Sequence, residues 1–289
     1  MPELPEVEVV RLFLEKKLLH KKISTIQILN SKSFIGDPKK IINEKIVKFS
    51  RLGKQLSIHL SNKLILLVHL KMTGQLLFKS PLLKGDLEGL KMLGHPTKTF
   101  NQKSTRIIFE FENGEILYFN DQRKFGWVRI FSTKELKPYQ ANLGLDIFDP
   151  NFSFDYFFLK LQSTKALIKA VLLNQNFFAG IGNIYANDAL FLAKIHPSIQ
   201  SNRVQRAKAL KLYHSLLSIM RQSVKAGGST IKDNKYVRPD GSYGQNQFFF
   251  RVYQRTGQPC LVCGTPIDKQ KIGGRGTFYC PNCQKPIQP

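Results

Sequence analysis

The chain has 289 residues, 42% of them apolar, with 22 Phe, 9 Tyr and one Trp, enough buriable surface for about two folded domains and too much for a disordered chain. Lys and Arg number 44 against 20 Asp and Glu, a net charge of +24, which points to a polyanionic partner or an acidic membrane and away from small neutral substrates. No apolar run approaches the roughly 20 residues that span a bilayer, and the acidic opening MPELPEVE is unlike a basic signal-peptide start, so an intracellular protein without membrane segments is expected.

After Pro5, the stretch EVEVVRLFLEKKLLH carries acids in its first turn and Lys16, Lys17 and Lys21 at its end, with Val7, Val10, Leu14 and Leu18 on one stripe. That pattern suits the helix dipole and a helical period. From about Ile23 to Phe131 the period becomes that of strands. Leu56, Ile58 and Leu60 alternate, and Ile107, Phe109 and Phe111 share a face ahead of Asn113-Gly114 and EILYF, which predicts a hairpin. The first half therefore reads as a β-sandwich with a leading helix, interrupted by a weakly patterned segment near Leu82 to Gln102. A composition shift over Pro138 to Asn151 marks a boundary. Helical periodicity returns at Ala166–Leu173, Ile184–Ala193 and Val204–Lys225. Gly227-Gly228 stops the last helix, and the polar stretch to Gly244 is expected as a mobile surface loop.

Charge is uneven along the chain. All ten Glu lie between Glu3 and Glu135, while residues 200–289 hold 15 Lys or Arg against Asp233, Asp240 and Asp268. A phosphate-tracking face would explain this excess, and its binding would weaken with salt as counterions are released; a lysine-rich solvated surface is the bland alternative.

Cys260-x2-Cys263 and Cys280-x2-Cys283, sixteen residues apart, use all four cysteines in the spacing of a four-cysteine zinc site. Four thiolates leave no open coordination position, so one structural Zn2+ is expected, stiffening a hairpin that presents Arg275 beside Gly273-Gly274. Disulfides are disfavoured in an intracellular chain. Residues 179–185, AGIGNIY, put two glycines and Asn183 at the start of a predicted helix, where backbone amides can approach an anion. Taken alone, an Asn N-cap is the simpler account, and Tyr185 stands where a dinucleotide fingerprint needs its third glycine.

Together, the N-terminal PELPEVE, the helix entrance GIGNIYAND and the terminal zinc ribbon resemble the formamidopyrimidine-DNA glycosylases, bacterial repair enzymes for oxidised purines, over essentially the whole chain. The resemblance implies an α+β fold. Its parts would be an N-terminal two-layer β-sandwich with flanking helices over 1–137, a linker over 138–150, a helix-two-turn-helix domain with a lesion loop over 151–244, and a four-cysteine zinc-ribbon hairpin over 245–289, with DNA in the cleft. It further implies a cytoplasmic monomer acting on double-stranded DNA that contains oxidised purines or abasic sites.

The same resemblance assigns roles. Loss of Met1 would make Pro2 a secondary-amine nucleophile, and an α-amino group titrates near 7.7 to 8.0, well below a lysine; the positive helix end and a nearby lysine are expected to lower that value further. Glu3 matches the acid/base carboxylate, and Lys54 a lysine that holds lesion-flanking phosphates. Glu6 matches a position near the lesion pocket, while Glu8 reads as a first-turn helix acid. His69 and Met72 in HLKMTG, with Arg123 and Phe125 in DQRKFG, match duplex-probing residues. Of these, Met72, Arg123 and Phe125 would fill the hole left by the everted nucleotide. Gln122 stands where the family usually has Pro, which implies a less rigid loop. Asn183 and Tyr185 match contacts to the backbone of the damaged nucleotide, and Arg275 the zinc-finger arginine that grips phosphate. Asp188 replaces a common Glu, shortening its reach, and the loop 229–243 matches the region that closes over the lesion. Two alternatives are an endonuclease VIII-like enzyme for oxidised pyrimidines, disfavoured by PELPEVE, and a catalytically silent lesion-binding homologue, disfavoured by Pro2, Glu3, Lys54 and Arg275 occurring together.

Overall fold

A computed structural model describes residues 1–81, 102–231 and 235–286. The weakly patterned segment near Leu82 to Gln102 lies almost wholly outside the described residues, as does part of the expected lesion loop. Contacts divide the chain into two compact units, Met1–Ala141 with Ala226–Gln247, and Asn142–Lys225 with Phe248–Pro289.

The first unit begins with helix α1 (Leu4–Leu18). Pro5 sits in its first turn, where a fixed φ and a missing N–H cost nothing. Glu3 and Glu6 close a reciprocal capping box, and Lys16 and Lys17 occupy the last turn. Strands follow as β1 (Ile23–Ile28), β2 (Phe34–Ile35), β3 (Ile46–Leu52), β4 (Gln55–Leu60), β5 (Leu64–His69), β6 (Gly74–Lys79), β7 (Thr105–Phe111), β8 (Ile116–Asp121) and β9 (Trp127–Ser132). They form a five-stranded sheet, β2-β9-β5-β4-β3, and a four-stranded sheet, β1-β7-β8-β6. The predicted hairpin is β7–β8, turning at Gly114 with φ +79°.

Leu56, Ile58, Leu66 and Val68 from one sheet share a core with Ile107, Phe109, Leu117 and Phe119 from the other and with the buried stripe of α1. Helix α2 (Thr133–Gln140), capped by Ser132 and Glu135, covers the outer face of the five-stranded sheet, where Leu136 meets Ile65, Leu67 and Trp127. The run Leu64 to Val68 is continuous because both of its faces are covered.

Contacts group residues 226–247 with this sandwich, which corrects one expectation: the described part of the stretch to Gly244 is not a surface loop. Tyr236 is a member of the sandwich core. Phe78 N–H donates to Pro239 O at 2.7 Å and Gln75 Nε2 to Lys235 O at 3.2 Å, so the segment shields the edge strand β6.

The second unit contains β10 (Leu145–Asp146), α3 (Phe154–Gln162), α4 (Ile168–Leu173), β11 (Phe178–Ala179), α5 (Asn183–Leu192), α6 (Arg206–Lys225) and the hairpin β12 (Asp268–Ile272)–β13 (Arg275–Tyr279). Periodicity placed α4 to α6 within a few residues. It missed α3, whose sequence FDYFFLKLQ is crowded with aromatics. That helix is capped by Ser153 and buries Phe157 against Phe178, their ring centroids 5.0 Å apart. Gly227 and Gly228, both at positive φ, follow the end of α6. No helix among the described residues is long and apolar enough to cross a membrane.

Candidate functional site

In the first unit the site starts at the entrance of α1. Pro2 is buried, and Glu3 and Glu6 are 3% and 1% exposed. Glu3 accepts from the first-turn backbone, Glu3 N–H donates to Glu6 Oε2 at 2.9 Å, and Glu6 Oε1 accepts from Ser229 N–H at 2.9 Å. Glu6 therefore joins the helix entrance to the segment after Gly228.

Glu8 is not a first-turn acid: it is the fifth residue of α1, and Glu6 is the acid of the first turn. Glu8 accepts from Arg51 Nε at 2.8 Å while Arg11 grips both its oxygens, and Arg51 Nη1 donates to Gly53 O at 2.9 Å. The β3–β4 turn that carries Lys54 is thus tied to α1. Burial, helped by the charges of Lys71 and Lys54, pushes the His69 imidazole down to about 3. His69 is therefore neutral at cellular pH. Its Nδ1 accepts from Lys71 N–H at 3.0 Å, which leaves Nε2 as the protonated donor.

Met72 is half-buried, and Arg123 and Phe125 are exposed. The Arg123 guanidinium stacks over the Phe125 ring, 4.8 Å from its centroid, an arrangement that pre-forms an aromatic and cationic wedge. The sequence reading passed over Asp121, which organises this region: its Oδ1 accepts from the Thr73 hydroxyl and from Arg123 N–H, and its Oδ2 from Gly126 N–H. Its place at the end of an alternating strand, just ahead of Arg123, was the available signal. Two of these bonds are made by main-chain N–H groups just after Gln122.

In the second unit, Gly182 and not Asn183 is the N-cap of α5. Asn183 is the first helical residue, and its Nδ2 donates to Gly276 O at 3.0 Å. Lys169, wholly buried, donates to the same carbonyl at 2.9 Å and to Thr277 Oγ1 at 2.7 Å. Asn187 Oδ1 accepts from Phe278 N–H at 3.0 Å. Strand β13 is therefore fastened to the glycine-rich entrance of α5, and exposed Arg275, its first residue, is held beside these amides. Lys169 too was missed, although a lone lysine amid IKAVLL was a visible anomaly.

Tyr185 does not suit the expected DNA contact. Its side chain is 1% exposed and its hydroxyl bonds Ser223 Oγ at 2.6 Å, so it anchors α5 in the core. Asp188 has reach enough: its carboxylate accepts from the backbone N–H groups of Arg251, Val252 and Tyr253 at 2.9 to 3.0 Å. Burial pushes that carboxyl above its ordinary value, against the pull of the three N–H donors.

Cys260, Cys263, Cys280 and Cys283 hold their Sγ atoms within 4.8 Å of one another, with separations of 3.9 and 3.5 Å. A zinc–sulfur bond of about 2.3 Å gives a tetrahedron with edges of about 3.8 Å. In each knuckle a backbone N–H points at a thiolate, Val262 to Cys260 and Cys283 to Cys280, both at 3.4 Å. The set fits a closed, structural zinc site, and it packs on Phe191, Val252, Ile267 and Phe278.

Three family descriptions match in sequence order: the formamidopyrimidine-DNA glycosylase N-terminal domain over residues 1–128, its H2TH domain over 143–235, and the zinc finger found in FPG and IleRS over 257–286. The formamidopyrimidine-DNA glycosylase of Ureaplasma parvum is 38% identical over 98% of this chain and 100% of its own. The chain belongs to the formamidopyrimidine-DNA glycosylase family. Two solved structures of the Lactococcus lactis glycosylase, each 32% identical, superpose over 99% of this chain and 100% of theirs. One, a variant bound to DNA containing Fapy-dG, has a TM-score of 0.86, and the other, bound to DNA containing an abasic site, one of 0.85. All three family segments of a glycosylase are present, including the zinc finger that carries the four cysteines.

Proposed function

We propose that this chain is a bifunctional DNA glycosylase and abasic-site lyase that excises oxidised purines, 8-oxoguanine and formamidopyrimidines, from duplex DNA in the cytoplasm through an N-terminal proline imine. The observation that carries the reading is the buried Pro2-Glu3 pair at the positive end of α1, with Glu6 bonded to Ser229.

Removal of Met1 exposes the Pro2 secondary amine. Its lone pair attacks C1′ of the damaged nucleotide, and the glycosidic bond breaks with its electrons passing to the base. Glu3 delivers one proton, to the deoxyribose ring oxygen or to the departing base, the proton given up by the Pro2 nitrogen goes to the other, the ring opens, and an iminium forms between Pro2 and C1′. The iminium acidifies the C2′ hydrogens. Loss of one expels the 3′ phosphate, a second elimination expels the 5′ phosphate, and hydrolysis returns Pro2 to its free amine.

Lys54 and the neutral His69 serve as donors to backbone phosphates, and Met72, Arg123 and Phe125 occupy the space the nucleotide leaves. The α5 entrance with Asn183, together with Arg275, holds phosphate through amides and a guanidinium. Zinc, when bound by the four cysteines, supplies stiffness to the Arg275 hairpin and no chemistry.

The test is borohydride trapping on a duplex with one 8-oxoguanine opposite cytosine, followed by peptide mapping of the adduct. A cross-link on Pro2, with most base excision and lyase activity lost in Pro2→Gly while DNA binding persists, is the expected result. A fully active Pro2→Gly variant, or an adduct on a lysine, would overturn the assignment.

A further inference from the structure

We propose that Asp121 is a positioning residue that couples two DNA-probing loops into one body, so that Met72, Arg123 and Phe125 enter the duplex together. The proposal rests on the reading of those three side chains as duplex probes.

Asp121 ends β8 and is wholly buried. Its carboxylate takes a donor next to each probe. The Thr73 hydroxyl, beside Met72, donates to Oδ1; Arg123 N–H donates to Oδ1 at 3.1 Å; and Gly126 N–H, beside Phe125, donates to Oδ2 at 2.6 Å. Thr73 Oγ1 also accepts from Arg123 N–H at 3.1 Å, so the two loops are joined directly as well. The main chain of Asp121 is fixed in turn, because Arg106 Nε donates to its carbonyl at 2.8 Å.

Both loops carry backbone that needs such support. Lys71 and Lys124 sit at φ +51° and +58°, a region side chains rarely adopt and that persists where surrounding bonds over-determine it. Space is equally constrained. A Cβ on Gly126 would lie 2.8 Å from Phe119 Cζ and 3.1 Å from Asp121 Oδ2, and one on Gly74 would lie 2.3 Å from Leu70 O. Gly126 therefore packs directly on the shared carboxylate, while Gly74 closes the Thr73 loop on the Leu70 carbonyl. A carboxylate suits this position because it only accepts, and every group aimed at it donates; an amide would turn an NH2 toward those donors.

The test uses the full-length enzyme and DNA with 2-aminopurine beside 8-oxoguanine, whose fluorescence reports side-chain entry into the stack, together with single-turnover excision. Thr73→Val removes the hydroxyl at constant volume, and Thr73→Ser restores it. In the otherwise unaltered protein, Met72→Ala slows the fluorescence change caused by Phe125. In Thr73→Val that dependence on Met72 disappears and excision slows about tenfold, the order expected for one hydrogen bond to a charged group, while Thr73→Ser behaves as the parent. Asp121→Asn gives the same loss of coupling where it folds. Excision and Met72 dependence unchanged in Thr73→Val would overturn the coupling. If Phe125→Ala leaves both signals unchanged, the probing role itself falls, a failure separate from that of the clamp.

Discussion

Replacing Glu8 with Ala should destabilise the first unit by about 3 kcal/mol, at the low end of the range for breaking a buried ion pair. Arg51 is 5% exposed and Glu8 14%, with 2.8 Å between Nε and Oε2, so the substitution takes the carboxylate from a guanidinium that water barely reaches. The low end applies because Glu8 borders solvent and Arg51 keeps its bond to Gly53 O. For a unit of this size the loss corresponds to a fall in Tm of roughly 6–12 °C, readable by circular dichroism at pH 7. The effect should depend on pH with a definite sign. Burial pushes the Glu8 carboxyl up, but the hydrogen bonds and charges of Arg11 and Arg51 outweigh it and hold the group below its ordinary value of 4.5. The unfolded chain then binds more protons in acid, so the pair's contribution is complete above that value and lost as pH falls below it. The gap between Glu8→Ala and the parent protein should therefore narrow in acid. A Tm within 1 °C of the parent at pH 7, or a gap as wide in acid as at neutrality, would refute the reasoning. Because Arg51 also holds the carbonyl ahead of Lys54, excision should fall more than duplex affinity does.

Stripping zinc with a chelator should loosen the β12–β13 hairpin, since Cys260 and Cys280 are part of its packed core. Duplex affinity then falls and the log–log salt dependence becomes shallower by about one phosphate contact as Arg275 loses its fixed place; binding isotherms at several salt concentrations that show no change would sink this role. His69 should give ring signals that do not move in an NMR titration between pH 5 and 8, because its imidazole sits at about 3. With its folded value depressed, His69 favours the unfolded state in acid, so stability should decline as pH drops from about 6.5 toward 3. A ring titrating near 6.5 would contradict the burial argument.

What the sequence made legible were features with a local cause. The α1 stripe follows from spacing, the β7–β8 turn from Asn113-Gly114, and the zinc site from two knuckles. What it hid depends on distant pairing. Glu6 meets Ser229, 223 residues away, and Lys169 meets Thr277, 108 residues away, and no periodicity announces either. The stretch from Gly228 to Gly244 read as a surface loop because it is polar and contains glycine, yet Tyr236 carries it into the sandwich core.

The motifs themselves divide between residues that face outward and residues that hold them there. In DQRKFG, Arg123 and Phe125 are exposed, while Asp121 and Gly126 are buried beneath them. In GIGNIYAND, Asn183 and Asn187 bond the zinc hairpin, Tyr185 fills the core, and Asp188 caps residues 251–253. Motif membership alone therefore does not assign a DNA contact, and Tyr185 shows how the inference fails. A short motif can nonetheless be specific over a whole chain, because the buried half must fit one fold while the exposed half must fit one substrate. Substitutions in the buried half should accordingly affect several exposed residues at once, whereas those in the exposed half act singly.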